Sequence, residues 1–151
     1  MSKKNLILIA VTLVLAGVYV FYFTDWFKPK TIHIAHTSRF IRGTFRPAQK
    51  NSYTTVPIIF TFEREYEFTE IKIVPLAALQ TNSLAQPVWH LVSDDGSDSI
   101  NHFFYGEKIE GMDPVVEGKR PEPLQPGVTY RLFVAAGKAK GQHDFQAKAA
   151  H

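Results

Sequence analysis

The chain has 151 residues, room for one domain plus an appendage. It contains no cysteine, which excludes disulfides, thiolate zinc sites, lipid-modified cysteine and cysteine nucleophiles. The formal net charge of +3 comes entirely from Lys3, Lys4, Asp25, Lys28 and Lys30, so the rest of the chain lacks the basic excess that a nucleic-acid reader needs.

The first thirty residues dominate the cellular reading. "LILIAVTLVLAGVYVFYF", Leu6 to Phe23, carries no charge. A helix of that length rises about 27 Å, close to the hydrocarbon thickness of a bilayer. Tyr19, Tyr22 and Trp26 gather at one end, where amphipathic rings favour the headgroup region. Lys28 and Lys30 can snorkel beside them, and Pro29 ends the helix. "VLAG" offers Ala16 as a signal-peptidase site, but cleavage there leaves "GVYVFYF" as an apolar new terminus. A retained single-pass anchor is therefore expected. Lysines lie on both sides of the span, so the positive-inside count is balanced. The five-residue tail ahead of it favours a signal anchor in the cell membrane, with the following domain on the periplasmic or extracytoplasmic side.

Beyond the anchor the apolar period changes to two. "TIHIAHT" (31–37) alternates with Ile32 and Ile34 on one face. "TTVPIIFTF" (54–62) places Val56, Ile58, Phe60 and Phe62 together, and "FTEIKIV" (68–74) and "VWHLV" (88–92) are shorter strands of the same kind. "LAALQT" (76–81) suits a helical turn inside a connection. "INHFFYG" (100–106), apolar on both faces, reads as a central strand. "TYRLFVA" (129–135) and a short run at 143–146 complete about seven strands, separated by turn signals at 93–99 and 135–141. That pattern predicts an all-β, seven-stranded antiparallel sandwich after one transmembrane helix.

"LQPGVTYRLFV" (124–134) gives the most specific signal. Pro126 presets one backbone angle of a tight turn and Gly127 tolerates positive φ at the next position. Tyr130, Leu132 and Val134 then face inward, and a buried tyrosine must place its hydroxyl somewhere. Leu124, Pro126, Gly127, Tyr130, Leu132 and Val134 resemble the L-x-P-G-x-x-Y-x-L-x-V corner of fibronectin type III domains. The resemblance implies an immunoglobulin-like sandwich over residues 31 to about 146, with Tyr130 as a latch covered by Leu124. It also implies roles in binding and spacing. One departure favours the wider immunoglobulin-like class: fibronectin type III domains carry a tryptophan on strand B, whereas "TTVPIIFTF" has none and Trp89 comes later.

No catalytic constellation is legible. His33 and His36 stand three apart on a strand, so they face opposite ways, while His90 and His102 qualify as a site only if the fold brings them together. "DDGSD" (94–98) lacks the spacing of a calcium loop and reads as a solvated hairpin turn. Of Glu63, Glu65, Glu67 and Glu70, the first three alternate with Arg64, Tyr66 and Phe68 as a solvent face does. "SRFIRGTFRPAQK" (38–50) mixes Arg39, Arg42 and Arg46 with Phe40 and Phe45 in a stretch free of acids, a composition suited to contacting anionic lipid or a neighbouring subunit. "MDPVVEGKRPEPLQPG" (112–127) is pre-extended by its prolines, either as a stiff crossover or as a docking edge.

The expected organisation is a short tail (1–5), a transmembrane helix (6–27), a linker (28–30), a β-sandwich (31–147) and a frayed end (148–151). The expected function is that of a non-enzymatic accessory subunit whose sandwich contacts other membrane proteins in an energy-transducing or secretory complex. No cofactor, metal or nucleic acid is expected, and the partners are the lipid bilayer, through residues 6–27, and other membrane-protein subunits. The alternative is a tethered module binding a small ligand or glycan near Trp89, Phe103 and Tyr105.

Overall fold

The structure is a computed structural model, and it describes residues 2–23, 28–39 and 56–149. Helix α1 (Lys3–Phe23) consists of good helix formers and apolar residues without proline. Its 21 residues rise about 32 Å, against a hydrocarbon core of about 30 Å. None of its residues is buried by the rest of the chain. The Thr12 hydroxyl donates to the Leu8 carbonyl at 2.9 Å, which satisfies that polar group within the helix, as an apolar solvent requires. It is long and apolar enough to cross a membrane.

The remaining elements are β1 (Ile34–Ser38), β2 (Ile58–Tyr66), β3 (Glu70–Pro75), α2 (Leu76–Thr81), β4 (Trp89–Val92), β5 (Ile100–Phe104), β6 (Asp113–Pro114), β7 (Thr129–Ala136) and β8 (Ala139–Gln146). They build two antiparallel sheets, of order β1-β2-β5 and β6-β4-β3-β7-β8. Alternation does most of the work. Ile58, Phe60 and Phe62 of β2 point inward, as do Ile71 and Ile73 of β3 and Tyr130, Leu132 and Val134 of β7. One hydrophobic core takes side chains from both sheets. Phe60 of the smaller sheet meets Phe145 of the larger edge-on at 5.0 Å between ring centres, and Phe62 meets Phe68 at 4.8 Å.

Several expectations change. The described residues hold eight strands, not seven, because β6 pairs with β4 through Leu91–Pro114 and Val92–Asp113. Two residues, one of them proline, carry no period to read. β5 is an edge strand, not a central one: only Phe103 is buried, and Asn101 and His102 are exposed. The 93–99 segment is no hairpin, since β4 and β5 belong to different sheets. It crosses between them and is fastened by Ser97, which is 5% exposed. The Ser97 hydroxyl accepts the Phe68 N–H at 2.9 Å and donates to the Asp98 carbonyl at 2.8 Å. The turn expected over 135–141 is a two-residue hairpin, with Gly137 at φ 61° and Ala136 opposite Ala139.

Close packing also fixes the start of the domain. Ile32 N–H donates to the Lys140 carbonyl at 2.9 Å, and Lys140 N–H donates to the Lys30 carbonyl at 3.0 Å. Gly141 lies so near this segment that a Cβ there would stand 2.6 Å from the Ile32 carbonyl oxygen. Near the other end, Val56 N–H donates to the Lys148 carbonyl at 2.9 Å.

Candidate functional site

Of the residues singled out for contact, Arg39 is exposed and its N–H donates to the Pro57 carbonyl at 3.3 Å. Phe40, Arg42, Phe45 and Arg46 lie outside the described residues, as does Trp26. Tyr19 and Tyr22 project from the last turns of α1, where Tyr19 stacks on Phe23 at 5.2 Å and Phe21 meets Tyr22 edge-on at 5.7 Å. Lys28 and Lys30 are exposed just beyond.

Leu124 and Tyr130 are both buried. The Tyr130 hydroxyl accepts the Gln125 N–H at 2.9 Å, and Gly127 takes φ 80° in the turn closed by Val128 N–H and the Gln125 carbonyl. The tyrosine therefore ties its strand to the backbone five residues upstream. Its ring stacks on Phe145, 5.8 Å away.

The residues around Trp89 divide between core and surface. Phe103 is surrounded by Phe60, Phe62, Phe68 and Trp89, which makes it a core residue and not the wall of a binding pocket. Tyr105 packs edge-on against Trp89 and its hydroxyl donates to the Glu122 carbonyl. Burial, with help from Tyr130 and Glu122, raises the Tyr105 hydroxyl far above the ordinary tyrosine range, so it is a structural donor and not a titrating group. Trp89 also lines a cavity of about 110 Å³ between β4 and the proline-rich strap that follows β6. Pro87, Val88, Pro114, Val115 and Val116 supply the rest of its apolar lining, and Gln86, His90, Lys119 and Arg120 its polar lining. The strap is held to β4 by Val115 N–H to the His90 carbonyl at 3.2 Å and by Glu122 N–H to the Val88 carbonyl at 3.0 Å.

The histidines are distributed differently from a catalytic cluster. His90 Nε2 lies 2.8 Å from Glu70 on the neighbouring strand, whereas His102 is on β5 of the other sheet and contacts Asn101. His33 is exposed while His36 faces inward, as a period of two requires. A contact with no sequence signal joins His36 Nδ1 to His143 Nε2 at 2.7 Å, across the seam between β1 and β8. One ring must donate and the other accept, so the bond cannot form between two imidazoliums. Burial first, then the His143 and Lys148 charges, holds His36 below the ordinary histidine value.

Two carboxylates are also tuned. Burial alone would raise Glu63, but hydrogen bonds from the Tyr66 hydroxyl and the His33 N–H outweigh it and hold the carboxyl low. Arg131 grips Asp144 through both carboxylate oxygens, at 2.6 and 2.9 Å, and depresses it likewise. Among the described residues no group of three or more histidine, aspartate or glutamate side chains is arranged to hold a metal ion. No family model matches the chain, and comparisons with curated proteins and with solved structures give no match.

Proposed function

We propose that this chain is a membrane-anchored accessory subunit. In this reading α1 lies in the bilayer, and the β domain is an immunoglobulin-like sandwich held close to the headgroups to contact neighbouring membrane proteins. The observation that carries the reading is the contrast in α1: a 21-residue helix, apolar on every side, none of which the rest of the chain covers. Such a surface is at rest in lipid and costly in water. The sandwich reading draws support from the two antiparallel sheets sharing one core and from the Tyr130–Gln125 hydrogen bond at the Pro126–Gly127 corner. The domain is placed outside the cytoplasm, with Tyr19, Tyr22, Trp26, Lys28 and Lys30 at the headgroup level. Contacts by the Arg39–Arg46 segment are part of the same proposal.

Fractionation tests the anchor. The full chain is expected in the alkaline-washed membrane pellet, and a chain lacking residues 2–23 in the soluble fraction. A mature chain that begins after Ala16 and stays soluble overturns the reading. Protease added to intact spheroplasts should digest the β domain, and protection would reverse the orientation. Phe40→Ser with Phe45→Ser should reduce co-purification of the partner in mild detergent while leaving the thermal transition unchanged.

A further inference from the structure

The cavity under the proline-rich strap has the build of a side-chain socket. Val115 and Val116 in its lining remain 50% and 59% exposed, beside the buried Trp89. Its volume of about 110 Å³ is smaller than the ~150 Å³ cavity that holds a benzene molecule, a size suited to one side chain. Pro114 has no N–H, and β6 is only two residues long, so strand addition along this edge is disfavoured. The occupant must enter by its side chain.

Charge indicates which side chain. Lys119 is engaged by the Pro87 carbonyl at 3.4 Å and by Glu122 at 3.5 Å, and His90 by Glu70. Arg120 makes no ion pair among the described residues, leaving a planar, permanently charged donor at the rim. The segment that carries it is net acidic in sequence: Glu107, Glu110, Asp113, Glu117 and Glu122 outnumber Lys108, Lys119 and Arg120 between positions 107 and 122. That balance does not favour a broad anionic surface such as a lipid headgroup layer, while Arg120 can still pair with a single carboxylate.

We infer that this socket docks an extended segment of a partner protein that presents one carboxylate between apolar side chains. The apolar neighbours cover Val115 and Val116, and the carboxylate pairs with Arg120. The inference rests on the reading of the chain as an anchored subunit with protein partners, and supplies the chemistry of one contact.

Trp89 provides the reporter. The full chain carrying Trp26→Phe, which leaves Trp89 as the sole tryptophan, is placed in nanodiscs of neutral lipid and titrated with the capped peptide Pro-Leu-Glu-Val-Pro. A saturable change in Trp89 emission is expected, about tenfold weaker for Pro-Leu-Gln-Val-Pro. Arg120→Gln should remove the preference between the two peptides, and Val116→Ser should weaken both. No saturable change at millimolar peptide, or a Glu preference that survives Arg120→Gln, overturns the inference. So does a Trp89 response to phosphatidylglycerol nanodiscs without peptide, which would mark a lipid-binding face. A chain that fractionates with membranes yet fails the titration loses the socket and keeps the anchor. One that never enters the membrane fails at the earlier step.

Discussion

Helix α1 and the β domain use the same apolar side chains in opposite ways. In the domain Phe60, Phe68, Ile71 and Leu132 reach essentially complete burial. In α1 Leu13, Phe21 and Phe23 remain 67%, 75% and 76% exposed. The domain solves its hydrophobic problem internally, by alternation that turns each strand's apolar face toward a shared core. The helix leaves the solution to its surroundings. Satisfaction of polar groups follows the same division: α1 closes its backbone bonds, and the Thr12 hydroxyl, within itself. The domain closes many of its own through pairings far apart in sequence, such as β2 with β5 and β3 with β7. A charge placed in either region should therefore fail for different reasons, and so should a cavity.

The largest expected effect tests the helix. Leu13→Arg with Val14→Arg puts two charges at mid-span, each costing about 3 kcal/mol on insertion scales. The chain should leave the membrane pellet while the near-ultraviolet circular dichroism of its domain is retained. In the domain, Phe60→Ala opens a cavity among Phe103, Phe145 and their neighbours, and a loss of about 3–5 kcal/mol is expected in denaturant unfolding. Membrane attachment should survive that change. If both regions responded together to either variant, the division between them would be wrong.

Smaller changes sharpen the picture of the domain. Gly141→Val must displace the Ile32 backbone, and overpacking of this kind costs about 1–3 kcal/mol. Hydrogen exchange should rise first at Ile32 and Lys140, whose amides hold that contact. Tyr130→Phe keeps the ring on Phe145 but leaves the Gln125 N–H without its acceptor, a loss of about 1–2 kcal/mol visible as a lower thermal midpoint.

The finest test is in pH. His36 is held below its ordinary value, so the unfolded chain binds the extra proton more readily than the folded one. The associated stability is complete above about pH 6.5 and is lost as pH falls through the lower folded value. Lys148 aggravates the repulsion once His36 is charged, while the neighbouring Asp144 is occupied by Arg131. His33 stands beside Glu63 on the exposed side, 4.0 Å from its carboxylate. Glu63 and Asp144, both held low, release their share of stability only at more acid pH. Thermal midpoints between pH 7 and 5 should fall in the native chain and flatten in His36→Gln. An equal slope in both chains would remove the imidazole pair from the account.

Local pattern made much of this legible. The charge-free run fixed α1, because no charged residue interrupts it for a full bilayer thickness. The period of two in β2, β3 and β7 located inward residues such as Phe60, Ile73 and Leu132, since strand geometry assigns faces without reference to partners. Pairing partners left no such mark. "INHFFYG" is apolar enough for a central strand, yet the chain placed it at an edge, where Ile100 and Phe104 are only partly covered. The socket was equally hidden: Trp89 is remote in sequence from Pro114 and Arg120 and shares a cavity with them only because the strap lies along β4.

The sequence alone determined which residues are apolar and with what periodicity, and so a helix long and apolar enough to span a membrane and a set of two-faced strands, because hydrophobicity and backbone repeat are local properties. Only the tertiary structure decided which strands became neighbours, which edge stayed open, and that His36 would meet His143. Those outcomes depend on contacts between distant segments, whose energies are settled together when the core closes.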